Sequence, residues 1–462
     1  MMTEKVSTGI KLKVHSLIDK VYHPTNLERA WRKVKANKGA GGIDGIYMDE
    51  FEKVAKEELK TLHKQLKERT YEPLPVKRVY IPKRGKPKEK RPLGIPTIRD
   101  RVCQQALKNR LEPIFEETFN DCSFGYRPKR SPHHAMKKIW QEIKQGNEWI
   151  VDGDLRDYFG IVDHEILIDM VAEKVSDGRI LFLIRQMLKA GYIDKKRRYE
   201  TKAGTPQGAV ISPLLSNIYL TPFDNAMTEK GFKLTRFADD WLIVCKSKAE
   251  AEKALKTAKE ELEKLGLILN QNKTRITNIK WGFVFLGYKI KQGKGLKLPK
   301  SIVKTAANVL NLYAFPSDES IKRFMDTIRQ KTKRKIPITF KEIVDNINPV
   351  IRGWGTYYHK ANVRKLFNRL DRWIIRRLWS HRYKKWRNAG WKMYPEKRLY
   401  EEYGLVNLIQ LIPGLERKPA QKISIAMRKR IAGKPHGPFV RADGGRLTPT
   451  SSDSTPVKWE GL

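Results

Sequence analysis

Residues 236–244 read RFADDWLIV. Two adjacent carboxylates, Asp239 and Asp240, interrupt residues that would otherwise form a pair of buried strands, and tandem charge among apolar neighbours is costly to bury. A hairpin turn that exposes an Asp-Asp pair is one reading, because Asp is a common turn residue. A second acidic strand end supports another. Residues 149–160, WIVDGDLRDYFG, place Asp154 at the end of a further short apolar run. If the two segments pair as antiparallel neighbours, three carboxylates meet, and a bound cation is what stabilises such a cluster. All-oxygen ligands suit Mg²⁺. Nucleotidyl transfer uses two such ions about 4 Å apart, one beside the attacking hydroxyl and one beside the leaving pyrophosphate.

Outward from this centre, the 462-residue chain carries 94 Lys+Arg against 51 Asp+Glu, a net charge of +43. That excess implies a polyanionic partner. Charge alone does not separate DNA, RNA and anionic lipid, but 11 Trp and 17 Tyr among the cations favour bases to stack upon. A hydrophobic content of 40% is enough for real cores and excludes wholesale disorder. No apolar stretch approaches the ~18 residues of a membrane span, and the N-terminus lacks a signal-peptide core. A cytoplasmic protein with no membrane partner is therefore expected. Cys103, Cys122 and Cys245 have no CxxC spacing, which excludes a disulfide framework or a Cys-rich zinc module.

The pattern along the chain predicts an α+β fold. From about residue 27 to 147, helical stretches are interrupted by a basic segment, residues 76–101, that reads as a strand followed by a loop rich in cations. Between 148 and 290, short strand-like runs (WIVDGDL, LIVCK, FVFLGYKI) alternate with amphipathic helices, of which 249–266 is the clearest. After residue 300 helices dominate, over 318–332, 339–358 and 363–386. From about 414 the chain turns basic and then rich in Gly, Ser, Thr and Pro, which predicts a flexible tail.

Several of these segments, in this order, resemble the blocks of bacterial group II intron reverse transcriptases. RFADD resembles their Y/F-A-D-D box, DGDLRDYFG their first palm motif, and GTPQGAVISPLLSNIYL (204–220) the motif between them. NKGAGGIDG (37–45), KRPLGIPTIRDR (90–101), FNDCSFGYRPKRSPHHAM (119–136), LNQNKT (269–274) and FVFLGYKI (283–290) resemble further blocks. Residues 348–386 resemble the thumb/X region with which intron maturases grip RNA. The resemblance covers about residues 25 to 390. It implies a right-hand polymerase with fingers and palm over 25–290, a helical thumb/X domain over 291–400, an N-terminal extension over 1–24, and a basic segment with tail over 401–462. The tail after Arg387 holds no Cys and one His, so the HNH endonuclease of many relatives is not expected.

The resemblance also assigns residues. Asp154 and Asp239 bind both Mg²⁺ ions with the backbone carbonyl of Leu155, and Asp240 completes the acidic site. Phe159 falls at the steric gate, where a ring beside the sugar clashes with a 2′-hydroxyl. Lys83 and Arg91 clamp the incoming triphosphate, although both sit among many other cations. Gln207, in the loop Gly204-Thr205-Pro206-Gln207-Gly208, contacts the nascent pair. Lys273 matches a lysine that protonates leaving pyrophosphate, an exposed surface lysine being the alternative.

Residues 352–387 hold twelve Lys+Arg, eight aromatics and one acid, Asp371. Trp373, Leu378 and Trp379 can form an inward stripe, with Arg372, Arg376 and Arg377 turned outward to phosphates. Together with Arg352 and Arg364 they make the expected RNA surface, or a basic helix packed on the palm. Two departures stand out. Ala209 replaces a glycine of the GTPQGG form, and Gly160 replaces a second aspartate. The expected partners are group II intron RNA, an RNA template, a DNA target or primer, and dNTPs. A reverse transcriptase recruited to phage or CRISPR-linked defence, a splicing-only RNA-binding protein and an RNA-dependent RNA polymerase are the alternatives. Intact aspartates oppose the second and Phe159 the third.

Overall fold

The computed structural model describes residues 16–83, 86–293, 312–334, 336–383 and 395–414. Most of the N-terminal extension and most of the segment from 401 onward lie outside them. The chain divides between Ile279 and Lys280 into two compact units, and mixed helix and strand in them gives the expected α+β class.

The first unit opens with α1 (Ile18–Tyr22), α2 (Pro24–Ala36) and α3 (Met48–Glu68). In α2, Leu27, Ala30, Trp31 and Val34 recur at helical spacing and are buried. Strands β1 (Val76–Lys83) and β2 (Lys86–Ile95) follow as an antiparallel hairpin. The basic segment is thus two strands where the sequence pattern suggests a strand and a loop. Its prolines mislead because β2 is an edge strand in the order β2-β1-β4-β5, where a missing N–H is tolerated. Next come α4 (Ile98–Glu116), capped by the Thr97 hydroxyl on the Asp100 N–H, and α5 (Pro132–Lys144).

Strand β3 (Trp149–Gly153) leads into α6 (Tyr158–Ile161), α7 (His164–Ala172), α8 (Gly178–Lys189), the short pair β4 (Tyr192–Asp194) and β5 (Arg197–Tyr199), and α9 (Ser212–Glu229). Then come β6 (Lys233–Phe237), β7 (Asp240–Cys245), α10 (Lys248–Lys264) and β8 (Arg275–Asn278). Strands β6-β7-β3-β8 form one antiparallel sheet. Helices α5, α9 and α10 pack on it, joining Val151, Trp241, Ile243, Tyr219 and Phe223 in one core.

The second unit contains β9 (Phe283–Phe285), β10 (Tyr288–Gln292) and β11 (Leu312–Pro316) as an antiparallel sheet of order β11-β10-β9. FVFLGYKI is therefore a hairpin and not one strand. Leu286 and Gly287 take φ of 48° and 79°, the backbone that a two-residue hairpin turn needs. Helices α11 (Asp318–Lys331), α12 (Phe340–Tyr358), α13 (Arg364–Tyr383) and α14 (Glu396–Glu401) follow. Ile343, Val344, Ile347 and Ile351 of α12 and Phe367, Leu370, Ile374 and Leu378 of α13 are all buried. Asp371 turns inward, accepting from the backbone N–H groups of Leu408 and Ile409 at 3.0 and 3.3 Å. No helix among the described residues is long and apolar enough to cross a membrane.

Candidate active site

Strands β6 and β7 close through the pair Phe237↔Asp240, so Ala238 and Asp239 form the turn. Ala238 has φ +59°, a left-handed conformation that is unfavourable for a residue with a Cβ. Buried polar contacts hold it. Arg236 has no exposed surface, and its Nε and Nη2 donate to the two oxygens of the equally buried Asp224 at 2.7 and 2.5 Å. Its Nη1 donates to the Asn217 side chain at 3.0 Å and to the Ala238 carbonyl at 2.9 Å. Asn217 in turn donates to the Gly125 carbonyl at 2.9 Å. A Cβ on Gly125 would stand 2.2 Å from the Ala238 nitrogen, so only glycine lets the 119–136 block seat the turn. Burial would depress the Arg236 pKa, but the Asp224 carboxylate offsets this and the net shift is upward.

The β3–β7 ladder runs up to Gly153↔Trp241, so Asp154 leaves β3 beside the start of β7. Lys273 Nζ lies 3.1 and 2.9 Å from the two Asp154 oxygens, and Asn270 Nδ2 donates to the same carboxylate at 3.0 Å. An antiparallel bridge between Leu155 and Leu269 is carried by the Arg156 N–H on Ile268 O and the Asn270 N–H on Asp154 O. That pattern turns the Leu155 carbonyl away from residue 269. Burial raises the pKa of Asp239, and the charge of Asp154 adds to the rise. Asp240, exposed at the start of β7, is pushed up to about 7 by partial desolvation of its carboxyl and by the charges of Asp239, Asp154 and Asp152.

The charges of Asp154 and Asp239 thus reach Asp240, and the all-oxygen chemistry of the three carboxylates fits a hard divalent cation. They are not a ready-made cage. Among the described residues no three His, Cys, Asp or Glu side chains meet in metal-binding geometry. Asp154 instead engages both of its oxygens with Lys273.

Phe159 is half-buried, edge-on to Tyr158 with centroids 5.1 Å apart. The Phe159 carbonyl accepts from the Thr205 N–H at 2.7 Å, and Gln207 O accepts from the Gly94 N–H at 2.7 Å. Gly204 has φ +90°, and a Cβ there would stand 2.6 Å from Phe159 O. The loop can therefore lie against α6 only with glycine. A cavity of about 360 Å³ results, lined by Arg78, Asp157, Phe159, Tyr192 and Gln207 among others. Arg91 is exposed on β2, opposite Ile81; the Lys83 side chain lies outside the described residues. A Cβ at Gly160 would stand 2.4 Å from Asp157 Oδ2, so an aspartate here would displace Asp157.

On α13, Arg372 and Arg376 are exposed and line a shallow depression with Lys365, Arg369 and Trp373. Arg352 and Arg364 are also exposed. Arg377 departs from the outward orientation expected from helical spacing. Its Nε donates to the Thr332 hydroxyl at 3.1 Å, and its Nη2 to the carbonyls of Thr332 and Arg329 at 3.1 and 3.3 Å. It satisfies the C-terminal carbonyls of α11, which carry partial negative charge. Trp373 is half-exposed with the Arg329 guanidinium 5.5 Å above its ring, while Leu378 and Trp379 are buried.

Asp224, Asn217 and Gly125 carry no signal in local sequence that points to the acidic turn; Arg236 adjoins it, but nothing local marks its buried pairing. Arg78 was hidden among other cations.

An acidic turn braced from below at the end of an antiparallel sheet, in a strongly basic chain, is the arrangement of a nucleic-acid polymerase. Residues 81–290 match the family model described as reverse transcriptase (RNA-dependent DNA polymerase), and residues 321–399 match the group II intron, maturase-specific domain. Protein YkfC of Escherichia coli (strain K12) is 35% identical over 326 residues, covering 62% of this chain and 85% of that protein. The group II intron-encoded protein LtrA of Lactococcus lactis subsp. cremoris is 29% identical over 454 residues, covering 80% and 74%. An uncharacterized 91 kDa protein in the cob intron of Schizosaccharomyces pombe is 27% identical over 422 residues, covering 75% and 51%. The chain belongs to the group II intron reverse transcriptase and maturase family. It is an RNA-directed DNA polymerase.

Proposed function

We propose that Asp154 and Asp239, with the Leu155 carbonyl, hold two Mg²⁺ ions at which an RNA template is copied into DNA, and that the second unit binds intron RNA to assist splicing and mobility. When bound, the ions supply charge that activates the primer hydroxyl and stabilises pyrophosphate. The protein's own groups do the rest. Arg236 fixes the Ala238 carbonyl and hence the direction of Asp239. Asp240, whose raised pKa reflects its acidic neighbours, sets the charge of the site. Lys273 holds Asp154 oriented and would be the protein's donor of a proton to the leaving group. Phe159 closes the sugar side of the cavity against a 2′-hydroxyl, and Gln207 faces the nascent pair. Lys83 and Arg91 remain the candidate triphosphate cations, and Arg352, Arg364, Arg372 and Arg376 the candidate RNA contacts.

The observation that carries this reading is the Lys273–Asp154 ion pair at the end of β3, with Asp239 in the β6–β7 turn near enough to feel the Asp154 charge. Primer extension on an RNA template, titrated with Mg²⁺, tests it. The wild-type chain is expected to make cDNA with a requirement for the ion, and Asp239→Ala to make none while remaining folded. Full-length product from Asp239→Ala at the wild-type rate would overturn the assignment. Protein-dependent splicing of the cognate intron, lost on Arg372→Ala/Arg376→Ala and kept on Asp239→Ala, tests the second half.

A further inference from the structure

One face of the β2-β1-β4-β5 sheet extends beyond the nucleotide cavity. Register defines it. Val76 pairs with Tyr192, Tyr192 with Tyr199 and Asp194 with Arg197. Since side chains alternate along a strand, Arg78, Tyr80, Tyr192, Asp194, Arg197 and Tyr199 share that face. Its inner end is the cavity itself, because Arg78 and Tyr192 line it beside Phe159.

From there a ladder of flat groups runs outward. The Arg78 guanidinium lies 3.2 Å over the Tyr192 ring, and Tyr192 stacks on Tyr199 with centroids 5.0 Å apart and planes at 14°. At the edge strand Tyr199 is 42% exposed, and Tyr80 is 46% exposed. The Tyr80 hydroxyl donates to Asp194 at 2.6 Å, which fixes that ring and engages the face's carboxylate. The hairpin tip beyond is Lys195-Lys196, both in left-handed backbone (φ 47° and 70°), followed by Arg197 and Arg198, all exposed. Turns of this kind ordinarily take Asn-Gly. Four adjacent cations there repel one another and contribute nothing to the turn.

We propose that this face is the track for the unpaired template strand as it approaches the cavity, with bases stacking on Tyr199 and Tyr80 and phosphates meeting Lys195, Lys196 and Arg197. The proposal rests on the polymerase reading and extends it to a specific surface. A single strand is the occupant because an exposed ring offers its face only to an unpaired base, and because cations beside exposed aromatics are the combination that holds single strands irrespective of sequence.

The test uses the full chain and primer–template duplexes whose template overhang is either one nucleotide or about ten, within the usual footprint of such surfaces. Tyr199→Ala is expected to weaken binding of the long-overhang duplex about tenfold and to leave the single-nucleotide duplex unchanged. Lys195→Ala/Lys196→Ala, at an exposed tip that touches no core, should flatten the salt dependence of long-overhang binding by about one to two in log–log slope. Equal losses on both duplexes, or no loss on the long one, overturn the proposal. So does a loss confined to folded intron RNA, which would reassign the surface to that ligand. If the wild-type chain extends no primer, the polymerase reading falls, and the binding comparison still decides the surface.

Discussion

Arginine does opposite work at the acidic turn and on α13. Arg236 is wholly buried, every described donor contact is internal, and it fixes a backbone that Ala238 would not adopt unaided. On α13, Arg372 and Arg376 stand in solvent around a depression, whereas Arg377 turns in to finish another helix. A buried charge loses its hydration and needs a matched partner, so it gives the turn one geometry. A surface charge keeps its hydration until a phosphate displaces it, so it remains available for a ligand. The first region is built for placement of a few atoms, the second for contact over an area.

The largest expected effect lies at the turn. Asp239→Ala should abolish cDNA synthesis in primer extension with no change in the thermal melt, whereas loss of synthesis together with loss of fold would make Asp239 part of the brace. Second, Arg236→Met leaves Asp224 buried and unpaired and should cost about 3–5 kcal/mol in urea unfolding. Adding Asp224→Leu should recover much of that. If Arg236→Met costs no more than Arg376→Met, the contrast between the regions is wrong.

Third, Phe159→Ala should raise rNTP incorporation relative to dNTP by about tenfold in a competition assay; an unchanged ratio in an active variant would make the ring merely structural. Fourth, the α13 arginines should separate. Arg376→Ala should lower the salt slope of RNA binding by about one without moving stability. Arg377→Ala should lower stability by about 1–2 kcal/mol and leave the slope alone.

The smallest effect concerns Asp371, whose carboxyl is pushed up to about 6 by burial. Between the ordinary carboxylate range and pH 6 the folded chain holds a proton that the unfolded chain releases. Stability should therefore rise as pH falls from 7 towards 4, by on the order of 1–3 kcal/mol from this group. Asp371→Asn should remove that component from the melting temperature measured against pH. A slope of the same size in Asp371→Asn would assign it elsewhere.

Much of this was legible in the residues. The apolar runs around Asp154 and Asp239 predicted adjacent antiparallel strands, and α10 to α13 follow their helical spacing closely. What escaped shares a cause. The proline-bearing β2 depends on being an edge strand, which local pattern does not reveal. The split of 283–290 rests on two left-handed residues. Arg377 looked like its neighbours until the end of α11 arrived beside it. At the site, Asp154 and Asp239 were plain because the chemistry is concentrated in them, whereas Asp224, Asn217 and Gly125 act only through contacts made by the folded chain.

The palm sheet has a consequence for how the chain is made. Strand β3 lies between β7 and β8, so Val151 finds neither Ile243 nor Ile276 until long after it leaves the ribosome. Until then an apolar strand is exposed on both edges, the condition under which nascent chains pair with the wrong neighbour. The catalytic centre is complete only when residues 270–278 emerge. Synthesis slowed between residues 160 and 240 should therefore prolong the interval in which the chain needs a chaperone.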